Sequence, residues 1–371
     1  MNSWKEARWR GRLKMALFSL IPVLVLLIIA QLYAYMTIER TIVQTTDPVT
    51  GQQYYSMRIG LWPWSHKSYT PINSLGLPDH EFVGLVPKGG CIHVLLAGDS
   101  YTFGDATSAV YRWGNVLQGM TERRINNRCI RFFNIGVRNS TIDTTIVRIH
   151  QVLPLIQPDV VVLSQYQNDL TDLANPGSPA WVPAGHGRRY DSHWGERLAR
   201  VVPGYNLSLE RYLTYNAFEF MIEHNIKYDV LSTWSVLETP AKKDWATKLE
   251  GIYHDLYGSL VKDMRSRNIQ FVAAIFPSKM DVMAKRSPEG EYFQSLAKEF
   301  NVPYLSLMPT LEAHRNPMPY HLYDGHMNEY GNAVTADAIW KWLFTSHPAP
   351  APVLQEAAEM SMLTTKSTGT P

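Results

Sequence analysis

Residues 92–104 read IHVLLAGDSYTFG. The run from Ile92 to Ala97 is apolar except for His93, as expected of a strand buried on both faces of a parallel sheet. Gly98 ends it, and a helix-length segment follows at about 107–126. Working outward, the alternation repeats. Strands are expected at 130–135, 159–164, 269–276 and 303–306, with helices at about 141–156, 245–267, 288–300 and 328–344. VVVLS (160–164) and FVAAIF (271–276) are nearly continuous in apolar residues. This order predicts an α/β domain whose parallel sheet carries helices on both faces.

In such sheets ligands bind outside the carboxyl ends of the strands. Ser100 falls at that edge, at the start of a helix, where its hydroxyl can enter the crevice and its N–H can face a developing oxyanion. Taken alone, it is also an ordinary helix-capping serine. The next strand ends in Asn134-Ile135-Gly136, where a glycine permits a close approach and offers a backbone N–H. The third ends in Tyr166-Gln167-Asn168-Asp169, with Asn168 offering a side-chain amide. Tyr323-Asp324-Gly325-His326-Met327-Asn328 precedes the last helix. A histidine there can reach the first strand's end, and Asp324 can orient it. Asp99 and Asp169 are expected to bond nearby backbone amides, and His93 to pack within the sheet.

GDSYTFG, NIG, QND and DGH-N-x-x-G, in this order, resemble the motif blocks of the SGNH (GDSL-like) hydrolases and acyltransferases over about 72–345. The resemblance implies a flavodoxin-like three-layer α/β/α sandwich. It implies Ser100 as nucleophile and His326 as base, with Ser100, Gly136 and Asn168 forming the oxyanion hole. Tyr166 stands where the family often has glycine, and is expected to narrow the pocket; Asn139 replaces a second glycine. Asp324 is two residues before His326 rather than three, a spacing found among relatives that acetylate exopolysaccharides. Asp324 is expected to orient His326, the alternative being a turn aspartate beside a histidine held by a carbonyl. His321, close by in sequence, is a candidate pocket residue. The implied reaction is acyl transfer from an ester. The acceptor is water in an esterase or another hydroxyl in an O-acyltransferase, and a non-catalytic binding protein with a degenerate site is the rival from another class.

The chain's 371 residues are 45% hydrophobic and 18% charged, enough for one large core and against wholesale disorder. A net charge of +2 gives no case for nucleic acid. No histidine or cysteine spacing suits a metal, and no cofactor is expected. Lys5, Arg8, Arg10, Arg12 and Lys14 precede an uncharged run from Met15 to Met36. At the helical rise that run spans roughly 33 Å, close to a bilayer's hydrocarbon core. A transmembrane anchor is expected at 15–36, with the basic segment 1–14 cytoplasmic and the catalytic domain extracytoplasmic, in the periplasm of a two-membrane cell. A signal peptide is the alternative, although no A-x-A site follows.

Residues 37–71 are read as a stalk and lead-in, 72–346 as the catalytic domain, 170–244 as an inserted cap or lid, and 347–371 as a disordered tail. Cys91 and Cys129 each precede an expected strand; if those strands are parallel neighbours the two sulfurs share one edge, and in an oxidising extracytoplasmic space a disulfide is expected, against the alternative of two half-buried thiols. The expected substrate is an O-acylated carbohydrate or lipid of the cell envelope.

Overall fold

The apolar runs pair into one sheet in the computed structural model, which describes residues 2–38, 40–46, 53–79, 91–125, 130–173, 243–322 and 324–367, with a few positions between 209 and 220. Its strands are β4 (Ile92–Ala97), β5 (Ile130–Asn134), β6 (Val160–Tyr166), β7 (Gln270–Phe276) and β8 (Tyr304–Ser306), in the order β5-β4-β6-β7-β8. Every pairing is parallel, with Leu96 opposite Asn134 on one side and Val162 on the other. This is the doubly wound, flavodoxin-like order. The winding reverses at β4, so the crevice opens between the carboxyl ends of β4 and β6.

Alternation of side chains across each strand divides the core in two. Leu95, Phe133, Val161, Leu163, Ala273 and Ile275 face one way, toward helices α4 (Ile142–Ile156), α6 (Lys243–Ser266) and α8 (Pro288–Glu299). Val94, Leu96, Phe132, Val162, Val272 and Ala274 face the other. There they meet α3 (Trp113–Ile125), α7 (Lys279–Ala284), α9 (Met308–Ala313), α10 (Glu329–Thr345) and α11 (Pro352–Ser367). The result is the expected three-layer sandwich, preceded by a long apolar helix, α1 (Asn2–Ile38).

Two readings of the chain's ends change. The tail does not continue as an irregular segment after His347, because α11 occupies 352–367. Ala351, Leu354, Ala357 and Ala358 recur at helical spacing and are buried against the second face of the sheet. The prolines at 348, 350 and 352 mask that spacing; Pro352 itself sits at a helix start, where its missing N–H costs nothing. The segment read as a stalk contains an antiparallel sheet of β1 (Arg40–Thr46), β2 (Gln53–Ile59) and β3 (His66–Ile72). Ser68, Thr70 and Ile72 are the buried positions of β3. Two of the three are polar, so the period of two is invisible to a hydrophobicity reading. Most of the expected cap, 170–244, lies outside the described residues.

Candidate active site

Ser100 opens α2 (Ser100–Phe103), a single turn beginning just past β4. Asp99 caps it, its Oδ1 accepting the Tyr101 N–H at 2.9 Å. Gly98 has φ +153°, and a Cβ there would stand 2.5 Å from Thr102 Oγ1, so only glycine fits the turn. Ser100 is 7% exposed.

The loop before α10 is tied to this turn through side chains on the serine side. Tyr101 donates its hydroxyl to Gly325 O at 2.6 Å, and Thr107 donates to Met327 O at 2.9 Å. Asn328 caps α10 by accepting the Gly331 N–H at 2.9 Å. So held, His326 places Nε2 2.9 Å from Ser100 Oγ, across 226 positions of sequence. Its Nδ1 contacts Asp324 Oδ1, which also accepts the His326 backbone N–H at 2.8 Å. A carboxylate only accepts, so Nδ1 carries the proton and Nε2 is left to accept from the serine hydroxyl. Asp324 is 6% exposed. The structure therefore brings Ser100, His326 and Asp324 together in the order of a nucleophile, a base and its orienting acid.

The residues expected to bind an oxyanion stand differently. Ile135 and Val137 donate their N–H groups to Leu96 O and Gly98 O, toward β4. Amides alternate sides along a strand, so the Gly136 N–H points the other way, and it bonds Asn134 Oδ1 at 2.9 Å. The donor role expected of Gly136 is corrected accordingly. What requires glycine is space, since a Cβ would lie 2.4 Å from Phe103 N and 2.6 Å from Thr102 C. Asn168 begins α5 (Asn168–Asp172) beside the crevice, but its Nδ2 donates to Asp172 Oδ2 at 2.7 Å.

Tyr166 stacks on Tyr101 with ring centroids 4.0 Å apart, and the Tyr101 ring is 5.4 Å from that of His326, so Tyr166 flanks the site. Its N–H goes to Asp169 Oδ2 at 3.1 Å. His321 is joined to the site loop through its N–H, donated to His326 O at 2.9 Å. Its ring lies 4.6 Å from that of His66, at the start of β3. Burial, with His66 nearby, pushes the His321 imidazole down to about 4. It is a packed partner of the loop. Burial likewise raises the Asp99 carboxyl to about 6, although the Tyr101 amide and His326 pull it down.

Sequence reasoning missed Asp105. The chain turns back after α2, with Asp105 N–H bonding Ser100 O at 3.0 Å. Its carboxylate is paired with Arg138 at 2.7 Å and stands 3.7 Å from His326 Nε2. A second acid thus sits near the base on the serine side. The only available signal was an aspartate at the end of the GDSYTFGD run. Cys91 is disulfide-bonded; Cys129, the chain's other cysteine, lies outside the described residues.

The fold and site define a doubly wound α/β protein in which a serine, a histidine and an aspartate touch one another at the carboxyl edge of the sheet. Solved structures similar to it include esterases and a lipolytic protein of the G-D-S-L family. The psychrotrophic esterase EstA from Pseudoalteromonas sp. is 12% identical, with a TM-score of 0.38 over 67% of this chain and 94% of that one. A lipolytic protein of the G-D-S-L family from Desulfitobacterium hafniense DCB-2 is 14% identical, with a TM-score of 0.37 over 67% of this chain and 98% of that one. A single-site mutant of the acetyl-xylooligosaccharide esterase Axe2 from Geobacillus is 14% identical, with a TM-score of 0.40 over 67% of this chain and 93% of that one. No known family profile and no curated protein sequence matches the chain.

Proposed function

We propose that the chain is a membrane-anchored serine esterase that removes acyl groups, acetyl the expected one, from a carbohydrate or lipid of the cell envelope. The observation that carries this reading is the 2.9 Å contact between His326 Nε2 and Ser100 Oγ, with Asp324 behind the imidazole. A buried serine has little reason to meet a histidine from the far end of the chain unless its proton is to be moved.

In the proposed reaction His326 Nε2 takes the Ser100 proton as Oγ attacks the ester carbonyl. The Ser100 N–H and the Asn168 amide receive the oxyanion, and Asn168 first leaves Asp172 to do so. The imidazolium is stabilised by Asp324 at Nδ1. It then protonates the leaving alcohol, and water attacks the acyl-enzyme by the same route in reverse. Transfer to a second hydroxyl uses the same residues and differs only in the acceptor.

The anchor is assigned to α1, whose segment Phe18–Ile38 has mean hydropathy 2.2 and the length to cross a bilayer. The catalytic domain then lies outside the cytoplasm, since the basic residues precede the helix. The test is fluorophosphonate labelling of the full chain in detergent. Wild type is expected to label, and Ser100→Ala and His326→Ala to lose labelling by about 10⁴-fold or more. Equal labelling of Ser100→Ala overturns the reading. Comparing acetate release with and without a glycan acceptor separates hydrolysis from transfer.

A further inference from the structure

The last turn of α1 is not exposed like the turns before it from Phe18 on. Leu24, Ile28 and Leu32 are 55%, 59% and 57% exposed, whereas Ala34 and Ile38 are 0% and 8% exposed. From Met15 to Tyr33 the helix spans about 28 Å, nearly the hydrocarbon thickness of a bilayer. With the hydrocarbon placed against Met15–Tyr33, the part of α1 left exposed, the helix meets the folded domain where the hydrocarbon ends. The contact is specific. Leu61 N–H bonds Met36 O at 2.6 Å, Trp62 Nε1 donates to Thr37 Oγ1 at 3.2 Å, and the Trp62 ring lies 6.1 Å from that of Tyr33. Leu209 N–H bonds the Gln31 side chain at 3.2 Å, and the Tyr212 ring meets Tyr33 edge-on at 5.6 Å.

Two apolar features flank this junction. Trp64 stacks on Trp62 at 5.4 Å and 5°, with 79% of its surface exposed. Leu213, Ala217 and Phe220 are each helical and exposed, and at spacings of four and three such positions share one face. Indoles whose height is fixed by contact with a membrane helix belong at the interface, where one edge is apolar and the other wet. The site is near. His66 follows Trp64 by two residues, at most about 7 Å of chain, and its ring meets His321, whose N–H holds the His326 carbonyl.

We propose that Trp62, Trp64, Leu213, Ala217 and Phe220 seat the domain directly on the outer leaflet, without a stalk. The serine site is then held at headgroup level and takes its ester from an amphiphile resident in that leaflet. This rests on the anchored-esterase reading, and the following experiment separates the two. The full chain, in phosphatidylcholine nanodiscs, carries a nitroxide at Trp64→Cys, at Leu213→Cys or, at the opposite edge of the sheet, at Ser266→Cys. Labels at 64 and 213 are expected to be relaxed by oxygen and shielded from an aqueous nickel complex, and the label at 266 the reverse. Nickel access at 64 and 213 equal to that at 266 overturns the seat, as does shielding from both reagents, the sign of a protein partner or a second copy. A chain washed from vesicles by alkaline carbonate fails the anchor itself, and labelling of Ser100 reports the chemistry separately. In the activity arm, Trp64→Asp with Leu213→Asp is expected to leave turnover of p-nitrophenyl acetate in detergent unchanged. Turnover of a vesicle-embedded acetylated glycolipid should fall by about tenfold or more, because seating makes the encounter effectively intramolecular. Equal turnover of the embedded ester by variant and wild type overturns the substrate assignment.

Discussion

On the relay side of the crevice the groups already touch: serine to imidazole at 2.9 Å, imidazole to aspartate, and the whole loop pinned by Tyr101 and Thr107. On the oxyanion side the expected donors are turned inward, Gly136 to Asn134 and Asn168 to Asp172. The difference is one of backbone against side chain. The Gly136 N–H lies just past β5 between Ile135 and Val137, and it cannot turn without breaking their bonds to Leu96 O and Gly98 O. The Asn168 amide moves by rotating a side chain, at the cost of one hydrogen bond to a carboxylate, roughly 1.5–3 kcal/mol. In the proposed mechanism the relay is preformed, and one oxyanion donor is recruited when substrate arrives.

The comparison breaks first at Asp324. If the relay is preformed through the Nδ1 proton, Asp324→Asn presents an amide that can favour the wrong tautomer, and kcat should fall by about 10²–10⁴-fold with KM little changed. Steady-state kinetics on a chromogenic acetyl ester measures this. A loss below tenfold would mean that a backbone carbonyl orients the ring, leaving Asp324 to shape the turn.

Asn168 sharpens the other side. Asn168→Ala should lower kcat by about 10²–10³-fold if the amide swings to the oxyanion, with the loss in kcat rather than KM. Asp172→Ala, which releases the amide, is the companion variant. It should leave kcat at or above the wild-type value. A loss in Asp172→Ala as large as in Asn168→Ala would mean that the amide serves α5 and never reaches substrate.

These contrasts follow what the sequence could and could not express. β4, β6 and β7 were legible because both of their faces are buried, which writes itself as continuous apolar residues. Ser100, Asp324 and His326 were legible because turn-forming residues mark the loops at a sheet's carboxyl edge. Gly136 was picked for a plausible reason, yet its orientation depends on which side of β5 pairs with β4, a fact of register absent from local sequence. Asp105 escaped because its approach to His326 depends on the chain doubling back onto Ser100 O. In β3 two of the three buried positions are hydroxyls, and in α11 prolines obscure an alanine–leucine stripe. In both, packing overrides composition.

The smallest effect on rate is expected at His321, and it tests why the relay loop stays in place. Its ring faces His66 from β3; Asp324, His326 and Glu329 act on it from its own loop and α10; and Lys279, at the start of α7, donates to the His321 and Leu322 carbonyls. Burial holds the folded imidazole near 4, against 6.5 in a free chain. The unfolded chain therefore takes up a proton below pH 6.5 that the folded chain refuses until about pH 4. The stability contributed by the neutral ring is complete above 6.5 and is lost as pH falls through about 4, a change on the order of 3 kcal/mol. Asp99 acts in the opposite sense, because its raised pKa favours the folded state increasingly as pH falls from about 6 toward 3.8. The wild-type curve mixes the two, and the difference between wild type and His321→Gln isolates the histidine. Urea unfolding at pH 7, 5.5 and 4 should show the wild-type advantage over His321→Gln shrinking with acid, while kcat at pH 7 stays near the wild-type value. A constant difference across that range would mean that the ring is solvated in the folded protein. The relay loop would then be held by its hydrogen bonds to Tyr101, Thr107 and Lys279, without a contribution from the buried ring.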